Sequence, residues 1–407
     1  MLCETPSLSR RALLGAGVTF AAWAHVPRMA FAAGGRDPRL LVVILRGALD
    51  GLSTVAPVAD PDYEALRAGI ALRKEGEDAA LPLDGFFALH PAMPNFARLY
   101  AARQALVVHA AASPYRERSH FDGQDVLETG LPGVGRTDSG WLNRAMAAIP
   151  AGERIASKGG LAVGPTTPII LRGGAPVLGW APPQLQPAGD DLAGRVLDLY
   201  RHRDLALHKA LAAGLETDRM AKAGGMTEKA QGGSANPRGM VQAARGAAKL
   251  IAADDGPRVA VLAFDGWDTH ANEGGAKGRL ADLLGGLDGA FGAFEEQLKA
   301  VWKDTAILVV TEFGRTARVN GTEGTDHGTA TVALLAGGAV KGGRIIADWP
   351  GLKESSLYER RDLKPTTDLR AVMKGLLQDH LGLAATTLGS VVFPETAGLR
   401  PLTGLVA

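Results

Sequence analysis

The sequence has 407 residues, 46% of them hydrophobic and 21% charged, with 53 glycines and only 5% aromatics. That length holds one large or two ordinary domains, and the composition excludes wholesale disorder and a coiled coil. Lys and Arg number 44 against 43 Asp and Glu, so no chain-wide field draws the protein to nucleic acid or to an anionic membrane.

Residues 1–33 read as a targeting segment to be set apart from the fold. Ser9-Arg10-Arg11 precede the weakly apolar run Ala12 to Val18, and Ala30-Phe31-Ala32 makes a small-x-small cleavage pattern. This arrangement is similar to a twin-arginine signal, which implies passage through the Tat translocase and a periplasmic or secreted mature chain. The apolar run is too short to cross a bilayer, so no membrane span is expected in the mature form. The sole cysteine, Cys3, leaves with the segment, and with it any disulfide, thiolate nucleophile or Cys metal site.

In the mature chain, 34–407, the continuous apolar run Leu40 to Leu45 predicts a strand buried on both faces. Pro94 to Arg103 has helical spacing, Ala105 to Val108 is a strand, and Ser119 to Thr129 is a helix closed by Gly130. Short strands are expected at 161–163 and 169–171, then one long helix over 191–222. A breaker-rich linker occupies 224–238, so 151–238 is a candidate inserted cap or lobe. A helix over 239–253, a strand at 258–264, a helix near 277–302 and strands at 306–311 and 331–335 follow. A closing helix carries Leu369, Val372, Met373, Leu376 and Leu377. Buried strands alternating with helices predict an α/β fold, a mostly parallel sheet with helices on both faces.

Ligands of such sheets bind beyond the carboxyl ends of the strands. Asp50 stands after the first strand and Ser119-His120 after the second. Asp265, Asp268 and His270 follow the strand ending at Phe264, Glu312 and Arg315 follow Thr311, and Asp326-His327 precede the strand at Thr331. Carboxylates and imidazoles from five segments are the donors a divalent ion needs. Two ions would suit displacement at phosphorus. Taken singly, several have plain structural alternatives: Asp50 an Asx turn, Ser119 a helix N-cap, Glu312 an ion pair with Arg315.

Met93-Pro94-Asn95-Phe96-Ala97-Arg98-Leu99, then Ala105 to Ala111, then Leu127-Glu128-Thr129-Gly130, resemble the N-terminal stretch of sulfatases and related phosphohydrolases. More narrowly, Leu45-Arg46-Gly47-Ala48-Leu49-Asp50-Gly51, Ser119-His120-Phe121, Asp268-Thr269-His270, Glu312-Phe313-Gly314-Arg315-Thr316 and Asp326-His327 resemble an exported bacterial family, domain of unknown function 1501. That family is grouped with the alkaline phosphatase/sulfatase clan.

The resemblance implies an alkaline phosphatase-like fold and a metal-dependent hydrolase of phosphoesters or related anionic esters. Its metal ligands would be Asp50, Asp265, Asp268, His270, Glu312, Asp326 and His327, holding one or two ions of zinc, manganese, calcium or magnesium. Ser119 or His120 would stand at the nucleophile position, Arg46 and Arg315 would clamp a small anionic or glycan substrate, and no nucleic acid is implied. Two departures matter: Phe313 stands where the clan has a metal-binding His, and the sulfatase C/S-x-P-x-R signature is lacking at Ser119. The competing reading is a catalytically silent periplasmic or envelope-associated binding protein on the same fold.

Overall fold

Strand β1, Arg39–Leu45, is buried along its whole length, and its alternate side chains feed two different cores. Leu41, Val43 and Leu45 point to one face of the sheet, Leu40, Val42 and Ile44 to the other, because successive residues of a strand project oppositely. This computed structural model describes residues 37–135, 137–150, 159–183, 190–226 and 228–407, and residues 38–407 form one compact unit. The segment 1–33 expected to be a twin-arginine signal, with Cys3, lies outside the described residues.

After β1 come helix α1 (Pro94–Ala101), β2 (Ala105–Ala112), α2 (His120–Thr129) and α3 (Trp141–Ala147). The next segment contributes β3 (Gly160–Val163), β4 (Val177–Trp180), α4 (Asp190–Arg203) and α5 (Leu205–Ala223). Then follow α6 (Pro237–Ala252), β5 (Val259–Phe264), α7 (Arg279–Gln297), β6 (Thr305–Thr311), β7 (Thr331–Ala336), β8 (Arg344–Ile346), β9 (Thr367–Asp368) and α8 (Leu369–Leu381). The strands form one nine-stranded sheet in the order β8-β2-β7-β6-β1-β5-β3-β4, with β9 also paired to β2. All pairings are parallel except those of β7, which runs against both β2 and β6. A mostly parallel α/β sheet is therefore present. Phe96, Leu284, Phe291 and Phe294 cover one face from α1 and α7; Trp141, Leu142, Val372 and Leu376 cover the other from α3 and α8.

Several elements differ from the sequence expectation. Residues 169–171 form a 3-10 turn after Pro168, not a strand, and the edge of the sheet is β4 instead. The helix expected over 191–222 is two, because Asp204 leaves helical geometry and accepts hydrogen bonds from Ala206 N and Leu207 N as a new N-cap. The expected lobe 151–238 supplies β3 and β4 to the main sheet, together with the α4–α5 pair. No helix among the described residues is long and apolar enough to cross a membrane.

Candidate metal centre

Parallel β1, β2, β5 and β6 bring their outgoing loops to one edge of the sheet, and β7, running the other way, brings its incoming loop there. His120 opens α2, Asp268 and His270 follow β5, Glu312 follows β6, and His327 precedes β7. The loops are fastened to one another. Arg315 and His327 form an antiparallel bridge, and Thr325 N donates to Thr269 O at 3.1 Å. Gly47, with φ of +120°, packs against the next loop so closely that an added Cβ would lie 2.5 Å from Asp268 N. Only glycine suits that position.

His120, Asp268 and His327 offer ligand atoms all within 4.8 Å of one another. His270 joins them, its Nε2 lying 3.1 Å from Asp268 Oδ1 and 2.9 Å from His327 Nε2. Asp268 Oδ2 is 3.4 Å from His120 Nε2. The far nitrogens are all occupied. His120 Nδ1 meets Glu312 Oε1 at 2.8 Å, His270 Nδ1 meets Asp326 Oδ1 at 3.1 Å, and His327 Nδ1 meets the Arg118 carbonyl at 2.9 Å.

The Asp326 carboxylate and the Arg118 carbonyl only accept, so the Nδ1 protons of His270 and His327 are committed to them. The two Nε2 atoms then face each other across 2.9 Å, a separation that either a shared proton or a metal ion bound by both nitrogens would reconcile. His120 Nε2 is shielded from solvent and has no hydrogen-bond partner among the described residues. Histidines oriented through Nδ1 by carboxylate or carbonyl, with Nε2 converging, have the arrangement that metal-binding imidazoles show. Three nitrogens and one carboxylate fit a borderline divalent ion better than calcium or magnesium, which take mostly oxygens.

Charge is distributed to match. The Glu312 hydrogen bond holds the His120 pKa above its ordinary value. Burial alone would push the Glu312 carboxyl up, but hydrogen bonds from His120, Gly47 N and Thr311 outweigh it and hold it low. Burial likewise opposes ionisation of Asp268, and the Arg315 guanidinium, 2.6 Å from Oδ1, reverses the effect. Burial and the neighbouring His120 and Arg315 push His327 down, keeping it neutral.

The sequence-derived candidates divide in two. Asp268, His270, His327 and His120 converge, with His120 as a nitrogen donor where the resemblance implied the nucleophile position for it or Ser119. Glu312 and Asp326 stand behind histidines as their acceptors. Asp50 is elsewhere: it caps residues 51–54 through Ser53 N and forms a buried ion pair with Arg67. Asp265 pairs with Ser234. Arg315 is buried and spends its donors on Asp268 and Thr325, so it orients a carboxylate rather than clamping a substrate. Arg46, paired to Glu128 at 2.8 Å, keeps 28% of its side chain exposed.

Ser119 occupies the N-cap of α2 but makes no capping bond through its side chain. Phe313 stacks on His120 with centroids 5.0 Å apart, supporting the ring it cannot replace as a ligand. Sequence reasoning missed Gln124, one helical turn beyond His120 and 3.3 Å from Glu312 Oε1. It also missed Asn320, which donates to the His270 carbonyl and to Asp326. The i, i+4 spacing from His120 was the available signal for Gln124; Asn320 offered none.

The family described as "Protein of unknown function (DUF1501)" matches residues 101–392. A search of curated proteins gives no match. Among solved structures, Ps i-CgsB in complex with k-i-k-neocarrahexaose is similar at 11% identity, covering 90% of this chain and 75% of that chain, with a TM-score of 0.45. The C-terminal periplasmic domain of EcEptC from Escherichia coli, in complex with Zn, is similar at 9% identity, covering 74% of each chain, TM-score 0.31. A protein in the alkaline phosphatase superfamily from Vibrio parahaemolyticus is similar at 13% identity, covering 74% of this chain and 60% of that one, TM-score 0.29.

Proposed function

This chain belongs to the DUF1501 family, and from its four converging donors we propose that it is an exported, metal-dependent hydrolase of phosphoesters or related anionic esters. The observation that carries the reading is the convergence of His120, Asp268 and His327 ligand atoms within 4.8 Å of one another, with the Nε2 atoms of His270 and His327 facing each other and the His120 Nε2 without a hydrogen-bond partner among the described residues. A divalent ion of the zinc type, held by His120, Asp268, His270 and His327, would supply Lewis acidity and a water activated at neutral pH. Glu312, Asp326 and the Arg118 carbonyl fix which nitrogen of each ring faces the centre. Ser119, free of a side-chain cap bond at the start of the ten-residue α2, is the candidate nucleophile, and the free N–H groups there favour an anionic oxygen. Arg46 is the guanidinium left to meet the ester's oxygens.

Elemental analysis of the purified mature protein tests the centre: a stoichiometric divalent ion is expected, lost in His270→Ala. Full metal content in that variant refutes the ligand set. Chromogenic phosphate mono- and diesters and sulfate esters test the chemistry. A second reading, a silent envelope binding protein, is favoured by the Arg315 guanidinium already seated on Asp268; stoichiometric metal without turnover would select it. Export is tested by replacing Arg10 and Arg11 with Lys, which should retain the full-length precursor inside the cell.

A further inference from the structure

The carboxyl ends of β3, β4 and β5 enclose a cavity of about 390 Å³ that none of the four candidate metal ligands lines. Arg46 and Asp265 stand in its wall, on the two loops that press together where Gly47 meets Asp268. The cavity therefore borders the candidate metal centre along the chain on both sides. Its volume is that of a small-ligand site.

We propose that this cavity is the subsite for the alcohol portion of the ester, and that this portion is an uncharged, polyhydroxylated ring of the hexose class. The identification of the occupant as part of an ester rests on the hydrolase reading; the chemistry of the pocket does not. Asp265 takes the Ser234 hydroxyl on Oδ2 and has its other oxygen available to accept. Arg46 Nε is shielded from solvent and has no acceptor among the described residues. An additional anion here would meet the Asp265 carboxylate, and a cation would meet the Arg46 guanidinium. A purely apolar group would leave Arg46 Nε and the second Asp265 oxygen without a partner. Hydroxyls, which donate and accept, satisfy the carboxylate and the guanidinium together. Val163, Pro165, Pro168, Ala181 and Pro182 supply the apolar wall against which the C–H face of a ring packs.

The test uses the full mature protein with its metal content measured. Methyl hexopyranosides are titrated by saturation-transfer NMR, and saturable binding is expected. Asp265→Ala and Ser234→Ala should each weaken it, the former by about tenfold, the loss of one hydrogen bond to a charged group. In turnover, preference for a hexose 1-phosphate over phenyl phosphate should fall by a similar factor in Asp265→Ala. No saturable binding of any hexoside to the wild type, or equal binding by both variants, overturns the proposal. Hexoside binding that depends on Asp265 in a protein hydrolysing no ester would leave the pocket standing and remove the hydrolase reading. Turnover without hexoside binding would do the reverse.

Discussion

Replacing Glu273 by Gln should make the protein's stability less dependent on pH above the acid range. Glu273 and Asp50 are both buried, and one buried guanidinium, Arg67, serves them. Arg67 also donates to Ser53 Oγ at 2.6 Å and to the Thr316 carbonyl at 3.1 Å. Two ionised carboxylates would exceed that single positive charge. Burial, and then the neighbouring Asp50, push the Glu273 pKa from 4.5 up to about 8. Asp50 lies below its ordinary value: burial raises it, and Arg67 outweighs the burial.

For Glu273 the folded pKa exceeds the unfolded one, so its contribution is complete below about 4.5 and is lost as pH rises toward about 8. At roughly 1.4 kcal/mol per pH unit, raising the pH from 5.5 to 7.5 costs about 2–3 kcal/mol. Asp50, with a depressed folded pKa, acts only below about 3.8 and stays outside this window. His109, pushed down by burial to about 4, changes stability in the opposite direction, but equally in both proteins. In Glu273→Gln the amide oxygen can still accept from Thr269 Oγ1 and Thr325 Oγ1, as Glu273 Oε2 does, while the amide nitrogen donates toward Asp50. Urea unfolding of both proteins at pH 5.5 and 7.5, with excess chelator to remove metal linkage, gives the difference directly. A gap that stays constant between the two pH values means Glu273 is ionised throughout and sinks the shared-proton account.

Gly47→Ala should destabilise the fold by about 2 kcal/mol or more, because the residue must adopt a positive φ and its Cβ meets backbone; a thermal midpoint within a degree of wild type would contradict this. Glu312→Gln takes away the charge that holds the His120 proton, so divalent-metal affinity should fall about 10–100-fold in competition with a chromophoric chelator. Unchanged affinity would place His120 outside the centre. Leu308→Ala, fully buried in the central β6, should cost about 2–5 kcal/mol in urea unfolding without altering metal stoichiometry; a loss below about 1 kcal/mol would mean the core collapses around the site.

What could be read from the sequence was whatever hydrophobic periodicity writes locally. β1, β2, β5, β6 and β7 each contain an apolar run of four or more residues, and Gly130 closes α2 in a left-handed cap as its position implied. Ile169 to Leu171 failed because three apolar residues suit a strand and a buried turn equally, and only tertiary context chooses between them. The break at Asp204 was visible as a capping residue but lay inside a longer helical pattern. At the site, strand ends identified the loops that matter, yet not which carboxylate faces inward. Asp50 looks like a ligand until Arg67 is known to reach it, and Arg67 reads in sequence as an ordinary helix arginine. Glu312 and Asp326 were distinguishable from Asp268 only once the histidine rings had been placed between them.

The reversed direction of β7 governs when the centre can exist during synthesis. His120 is made early, but the imidazole opposite it arrives on the stretch entering a strand that docks between two others already laid down. A ribosome-bound chain ending before residue 327 has at most three of the four donors and an open slot in its sheet. An ion held by all four donors would therefore be captured only once that strand has inserted, while β8, β9 and α8 are still to be added.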